Sequence, residues 1–178
     1  LYTALPEAEA VPWRRLADER IAQLCRLLSL PRPTKKVQIQ LFPDIWSTNR
    51  YLTERLPTRV GVESICFVDR AGYHIAVTQS ASEERTRASL RHELLHFVLI
   101  SQYYDLPPWV DEGLAQVMES EVLAGDLSEA RRPGVLQSLH DATSQDWRTL
   151  LSVKLSAGLS YQQYDMALGL TWLLWHSP

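Results

Sequence analysis

The stretch that decides the fold runs His92-Glu93-Leu94-Leu95-His96 and resumes, past a break at Pro107, as Pro108-Trp109-Val110-Asp111-Glu112-Gly113-Leu114-Ala115. Two histidines four residues apart share one helical face, one turn apart, so both imidazoles can reach a single metal ion at about 2.0–2.1 Å. Glu93 stands about 100° around the helix from His92 and can contact a water on that ion without ligating it. The spacing encodes ligand, base, ligand. A tetrahedral catalytic zinc also needs a third protein ligand and an open position. Glu112, sixteen residues beyond His96, can supply that ligand if the Pro107-Pro108 break turns a second helix back across the first. Asp111 is the competing carboxylate. A glycine inside a helix costs about 1 kcal/mol relative to alanine, and close approach to the metal helix is the expected reason for Gly113.

Around this core the periodicity is legible. Ala17, Ile21, Leu24 and Leu28 recur at helical spacing within Trp13 to Leu30, ahead of Pro31 and Pro33, and residues 1–12 are expected to be an extended lead-in. Val37, Ile39 and Leu41 alternate with polar neighbours as in a half-buried strand. A short helix is expected over Ser47 to Arg55, then a hairpin of Ser64 to Asp69 and Tyr73 to Gln79 around Arg70-Ala71-Gly72. Ser80 with Glu83 has capping-box spacing for the helix that carries the two histidines, which runs to about Ser101. Trp109 to Leu123 is amphipathic with Gly125 as its stop, and Gly125 to Gly134 is the most loop-like stretch. Further helices are expected over Val135 to Ala142, Trp147 to Val153 and Tyr161 to Trp175, the last capped by Ser160 with Gln163.

Composition bounds the answer. The 178 residues suit one core, and the net charge of −3 gives no electrostatic footprint for nucleic acid. No run approaches the roughly 20 apolar residues that span a bilayer. Cys25 and Cys66 lack metal-motif spacing; they can pair in an oxidising compartment, but each lies in an apolar run where buried free thiols are common. A start at Leu1 without a leader reads as a processed protein or an excised domain, so partner domains are expected outside the segment.

Together the two central motifs resemble the gluzincin metallopeptidases, and most closely the bacterial peptidase MA-like group, with weaker similarity at Ala71-Gly72-Tyr73 and in the tyrosine-led helix near the end. The resemblance covers about Lys36 to Trp175. It implies a zincin-like α+β fold: a small mixed or antiparallel sheet packed on the active-site helix, then a mainly helical part. The chain is expected to form one domain over 1–178, its sheet and active-site helix within 13–101 and its helical part, with the third ligand, over 102–178. It further implies Zn2+ held by His92, His96 and Glu112, Glu93 as general base, and a peptide or protein as substrate. Tyr164 is the first candidate to stabilise the oxyanion, with Tyr161 as the alternative. The strand from Tyr73 to Gln79, carrying Tyr73 and His74, is the implied rail for substrate. Secreted, periplasmic and membrane-anchored extracytoplasmic locations in bacteria all fit such a segment.

Two departures from related families matter. The position one turn after Glu112 is Gln116, where thermolysin's family has an aspartate that orients a ligand histidine; its amide oxygen can accept an imidazole N–H. The Gly-x-Met-Glu-Asn motif for a substrate's free amino group is absent, so endopeptidase action is favoured. A catalytically silent binding or assembly module and a zinc hydrolase of non-peptide amides or esters are the alternatives. His140 and His176 are read as structural, and Trp109, Trp172 and Trp175 as core.

Overall fold

The computed structural model describes residues 7–56, 61–103, 106–119, 131–154 and 158–177. The chain divides into two compact units, Leu1–Gln102 and Tyr103–Pro178. The first contains α1 (Glu7–Leu27), β1 (Val37–Phe42), α2 (Ile45–Arg55), β2 (Ser64–Asp69), β3 (Gly72–Thr78) and α3 (Glu83–Ile100). The second contains α4 (Pro108–Val117), α5 (Arg132–Asp141), α6 (Ser144–Ser152) and α7 (Tyr161–Trp175). This is the α+β architecture expected of a zincin-like chain: a small mixed sheet packed on helices and a mainly helical C-terminal region. No described helix is long and apolar enough to cross a membrane.

The expected extended lead-in is corrected from Glu7 onward; residues 1–6 lie outside the described residues. Glu7 and Glu9 favour the positive end of the helix dipole, Ala8 and Ala10 are strong helix formers, and Ala10 is buried. Pro12 lies in the second turn and has no N–H to donate to Ala8 O, so the helix runs through it with one hydrogen bond fewer. At the other end Ser29 adopts φ 54°, with its N–H bonded to Arg26 O and the Leu30 N–H to Cys25 O. These are the paired bonds of a Schellman stop, so α1 ends before the prolines that were expected to close it.

The sheet order is β1-β3-β2, with β1 parallel and β2 antiparallel to β3. Strand alternation sorts the side chains onto two faces. Ile39, Leu41, Tyr73, Ile75 and Val77 share the face of Ser64, and there Tyr73 meets Phe97 of α3 edge-to-face at 5.5 Å. The opposite face holds Phe67 and Ala76, packed with Leu52 and Tyr51 of α2. The order also corrects the expected substrate rail. Both edges of β3 are occupied by its neighbours, so it has no main-chain groups left for a peptide; the outer edges belong to β1 and β2.

Arg70 and Ala71 form the hairpin turn, with the Ala71 N–H on Asp69 Oδ1 at 2.7 Å and Gly72 at φ 127°, a value L residues rarely adopt. In α3 the capping residue is Ser82, accepting from the Arg85 N–H, and not Ser80. Ser80 is committed elsewhere: its N–H donates to Thr86 Oγ1 and its hydroxyl accepts from the Ser82 N–H.

In the second unit α7 packs against α4, α5 and α6. Its bounds and its Ser160–Gln163 capping box are those expected. α4 stops at Val117, short of Leu123, because Met118 has left helical geometry at φ −91°, ψ 1°; the expected stop at Gly125 lies outside the described residues, as does most of the expected loop. α5 begins at Arg132, since Pro133 suits a first turn. Trp109 packs with Trp147 against Leu150, Met166 and Ala167, whereas Trp175 is exposed at the end of α7 and does not join the core.

Gly113 has a different reason from the one expected. A Cβ there would lie 2.1 Å from Thr171 Oγ1 and 2.7 Å from Ala167 O, both on α7. The glycine therefore lets α4 and α7 approach. Gly113→Ala is expected to destabilise the protein by about 1–3 kcal/mol in urea unfolding, the usual range for overpacking. Adding Thr171→Ala should recover only part of this, because the Ala167 carbonyl is main chain.

Candidate metal centre

The metal-ligating residues stand on helices whose formation is locally encoded. α3 starts at the Ser82 cap with Glu83 and Glu84 in its first turn, and Glu83 pairs with Arg87 one turn on. Leu90, Leu94, Leu95, Phe97 and Val98 are buried and fix its rotation. His92 and His96 are left half-buried, with ring centroids 4.8 Å apart at 71°. α4 enters through Pro107 and Pro108, the latter at the position where a missing N–H costs nothing.

One ligand atom from each of His92, His96 and Glu112 lies within 4.8 Å of the others, and this set could hold a metal ion. Two neutral imidazoles and a carboxylate are a donor set that suits a divalent metal such as Zn2+ and leaves a fourth position open. Of the two carboxylates that competed for the third place, the geometry selects Glu112; Asp111 is not in the set.

Glu93 lies beside this set in sequence and is only 4% exposed. Its Oε1 accepts a hydrogen bond from the Ser64 hydroxyl at 2.7 Å. Sequence reasoning missed Ser64. The signal was present but slight: a hydroxyl heading the apolar run Ile65-Cys66-Phe67-Val68 at a position where strand alternation turns it toward α3.

The remaining expected site residues are placed as follows. Tyr73 is buried against Phe97. His74, expected on the rail, is fully buried on the α2 face of the sheet, opposite α3, so it does not open onto a cleft along α3. Its Nε2 is 2.9 Å from Asp69 Oδ1, its Nδ1 is 3.3 Å from the Tyr51 hydroxyl, and its ring stacks on Phe67 at 5.0 Å. Burial pushes the Asp69 carboxyl up, but the Ala71 N–H, Arg55 and His74 together outweigh this and hold it below the usual carboxylate range. Tyr164 is half-buried near the start of α7, whereas Tyr161 is 95% exposed.

Gln116 is engaged within its own unit. Its amide oxygen accepts from Arg131, and its amide nitrogen donates to Tyr164 O at 3.1 Å and Glu112 O at 3.3 Å. The residue thus ties the main chain of Tyr164 to that of Glu112. Cys25 and Cys66 are not joined in a disulfide, and Cys25 is buried with its thiol raised chiefly by that burial. His140 and His176 are exposed. Compared with family models, with curated proteins and with solved structures, the chain matches none.

Proposed function

We propose that the chain is a zinc metallo-endopeptidase of the gluzincin type, similar to the peptidase MA-like group. The observation that carries this reading is the convergence of His92, His96 and Glu112, with a buried glutamate between the two histidines on the same helix. Structural histidines need no such third partner, and a general base has no role without the ligands.

In this reading His92, His96 and Glu112 hold the zinc, which when bound polarises a carbonyl and lowers the pKa of water to about 7. Glu93 takes a proton from the attacking water and delivers it to the leaving amine. The Tyr164 hydroxyl donates to the oxygen on which negative charge develops. It is preferred to Tyr161, whose nearly complete exposure leaves nothing to hold its ring in place. Gln116, bonded to the main chain of both Tyr164 and Glu112, keeps the ligand and the donor in register. The peptide is assigned to the outer edge of β2, because β3 is enclosed and Ser64 of β2 touches the base. Main-chain pairing at an edge recognises extended peptides with little demand on their sequence.

The test is digestion of a diverse peptide library by the zinc-loaded protein, read by mass spectrometry, with a chelated sample as control. Internal cleavage that chelation abolishes and zinc restores is expected. Binding of zinc without cleavage of any peptide would overturn the peptidase reading and leave a binding module or a hydrolase of other amides or esters.

A further inference from the structure

We propose that Ser64 is a positioning residue for the general base, an inference that rests on the metallopeptidase reading. Ser64 heads β2, and its register partner Val77 places it on the face of the sheet that packs on α3. Apolar residues fill that face, yet Ser64 brings a hydroxyl to within 2.7 Å of Glu93 Oε1. Glu93 is 4% exposed, so water has little room to take over this contact.

A glutamate side chain has three rotatable bonds, and its terminal torsion is broad. Burial alone does not choose which carboxylate oxygen faces a substrate. The Ser64 hydroxyl engages Oε1 and fixes the plane of the group, which leaves Oε2 as the oxygen that receives and returns the proton. Ser64 touches neither metal nor scissile bond in this scheme; it acts through Glu93. The contact also joins the base to the edge strand assigned to the peptide, so one hydrogen bond sets the base relative to the substrate's backbone.

The experiment compares wild type, Ser64→Ala and Ser64→Thr on a quenched fluorogenic peptide chosen from the library digest, with zinc content measured for each. Ser64→Ala is expected to keep its zinc and its KM within about twofold and to lose about 10–100-fold in kcat, the size of effect seen when hydrogen-bond partners of metal ligands are removed. Ser64→Thr retains a hydroxyl on a residue that suits a strand and is expected to recover kcat to within about fivefold of wild type. In metal-free protein, Ser64→Ala should lower the urea midpoint when Glu93 is present and leave it unchanged in a Glu93→Ala background, which shows that the two side chains act as a pair. Wild-type hydrolysis with an unchanged kcat for Ser64→Ala, or a kcat for Ser64→Thr as low as that for Ser64→Ala, would overturn the proposal alone. Absence of hydrolysis by the wild type would overturn the peptidase reading and this inference with it.

Discussion

Glu93→Gln is expected to keep a full equivalent of zinc and to lower peptide hydrolysis by about 10²–10⁴-fold, the usual contribution of a positioned general base. The change replaces the carboxylate by an amide of nearly the same shape. Glu93 is not one of the three grouped ligands, so metal affinity should be untouched. The hydroxyl of Ser64 can still donate to the remaining carbonyl oxygen, so the side chain stays in place while its basicity is gone. Zinc content by atomic emission and kcat on the fluorogenic peptide check both halves of the expectation. An unaltered rate would remove Glu93 from its role, and loss of zinc would make it a ligand.

His96→Ala is expected to abolish stoichiometric zinc binding and, with it, the stabilisation that zinc confers on the wild type. Free zinc at about 1,000 times its dissociation constant stabilises a native state by about 4.1 kcal/mol. For a chain of this size each kcal/mol moves Tm by about 2–4 °C, so wild type should gain about 8–16 °C on adding zinc and the variant almost none. Without metal the two proteins should unfold at similar temperatures, because His96 is half-buried at the edge of the apolar packing of α3. The thermal readout is independent of any substrate. A zinc-induced shift that persists in His96→Ala would place the ion elsewhere.

The parts of this fold that sequence reasoning reached are those set by neighbours in the chain. The Ser160–Gln163 box and the bounds of α7 depend on contacts three or four residues apart, and the pairing of His92 with His96 depends on a single helical turn. What it missed depends on tertiary partners. Ser80 and Ser82 are both serines ahead of an acidic turn, and only the bond from the Ser80 N–H to Thr86 decides which of them caps. Gly113 signalled a close approach, but not that α7 was the helix approached. The central position of β3 follows from strand order, which hydrophobic alternation does not encode. His74 shows the same limit. A histidine in a strand carries no mark of the face it takes, and here the face decides between a substrate contact and a buried bond to Asp69.

That buried imidazole gives the molecule an internal standard. Of five histidines, His140 and His176 are exposed, His92 and His96 belong to the metal set, and His74 is sealed on the far face of the sheet. Acylation of imidazoles by diethylpyrocarbonate would therefore proceed in three tiers. The exposed pair reacts whatever the metal content, His92 and His96 are expected to react more slowly once zinc is added, and His74 becomes reactive when the hairpin opens. A single footprint would then report surface, metal occupancy and integrity of the sheet on one scale.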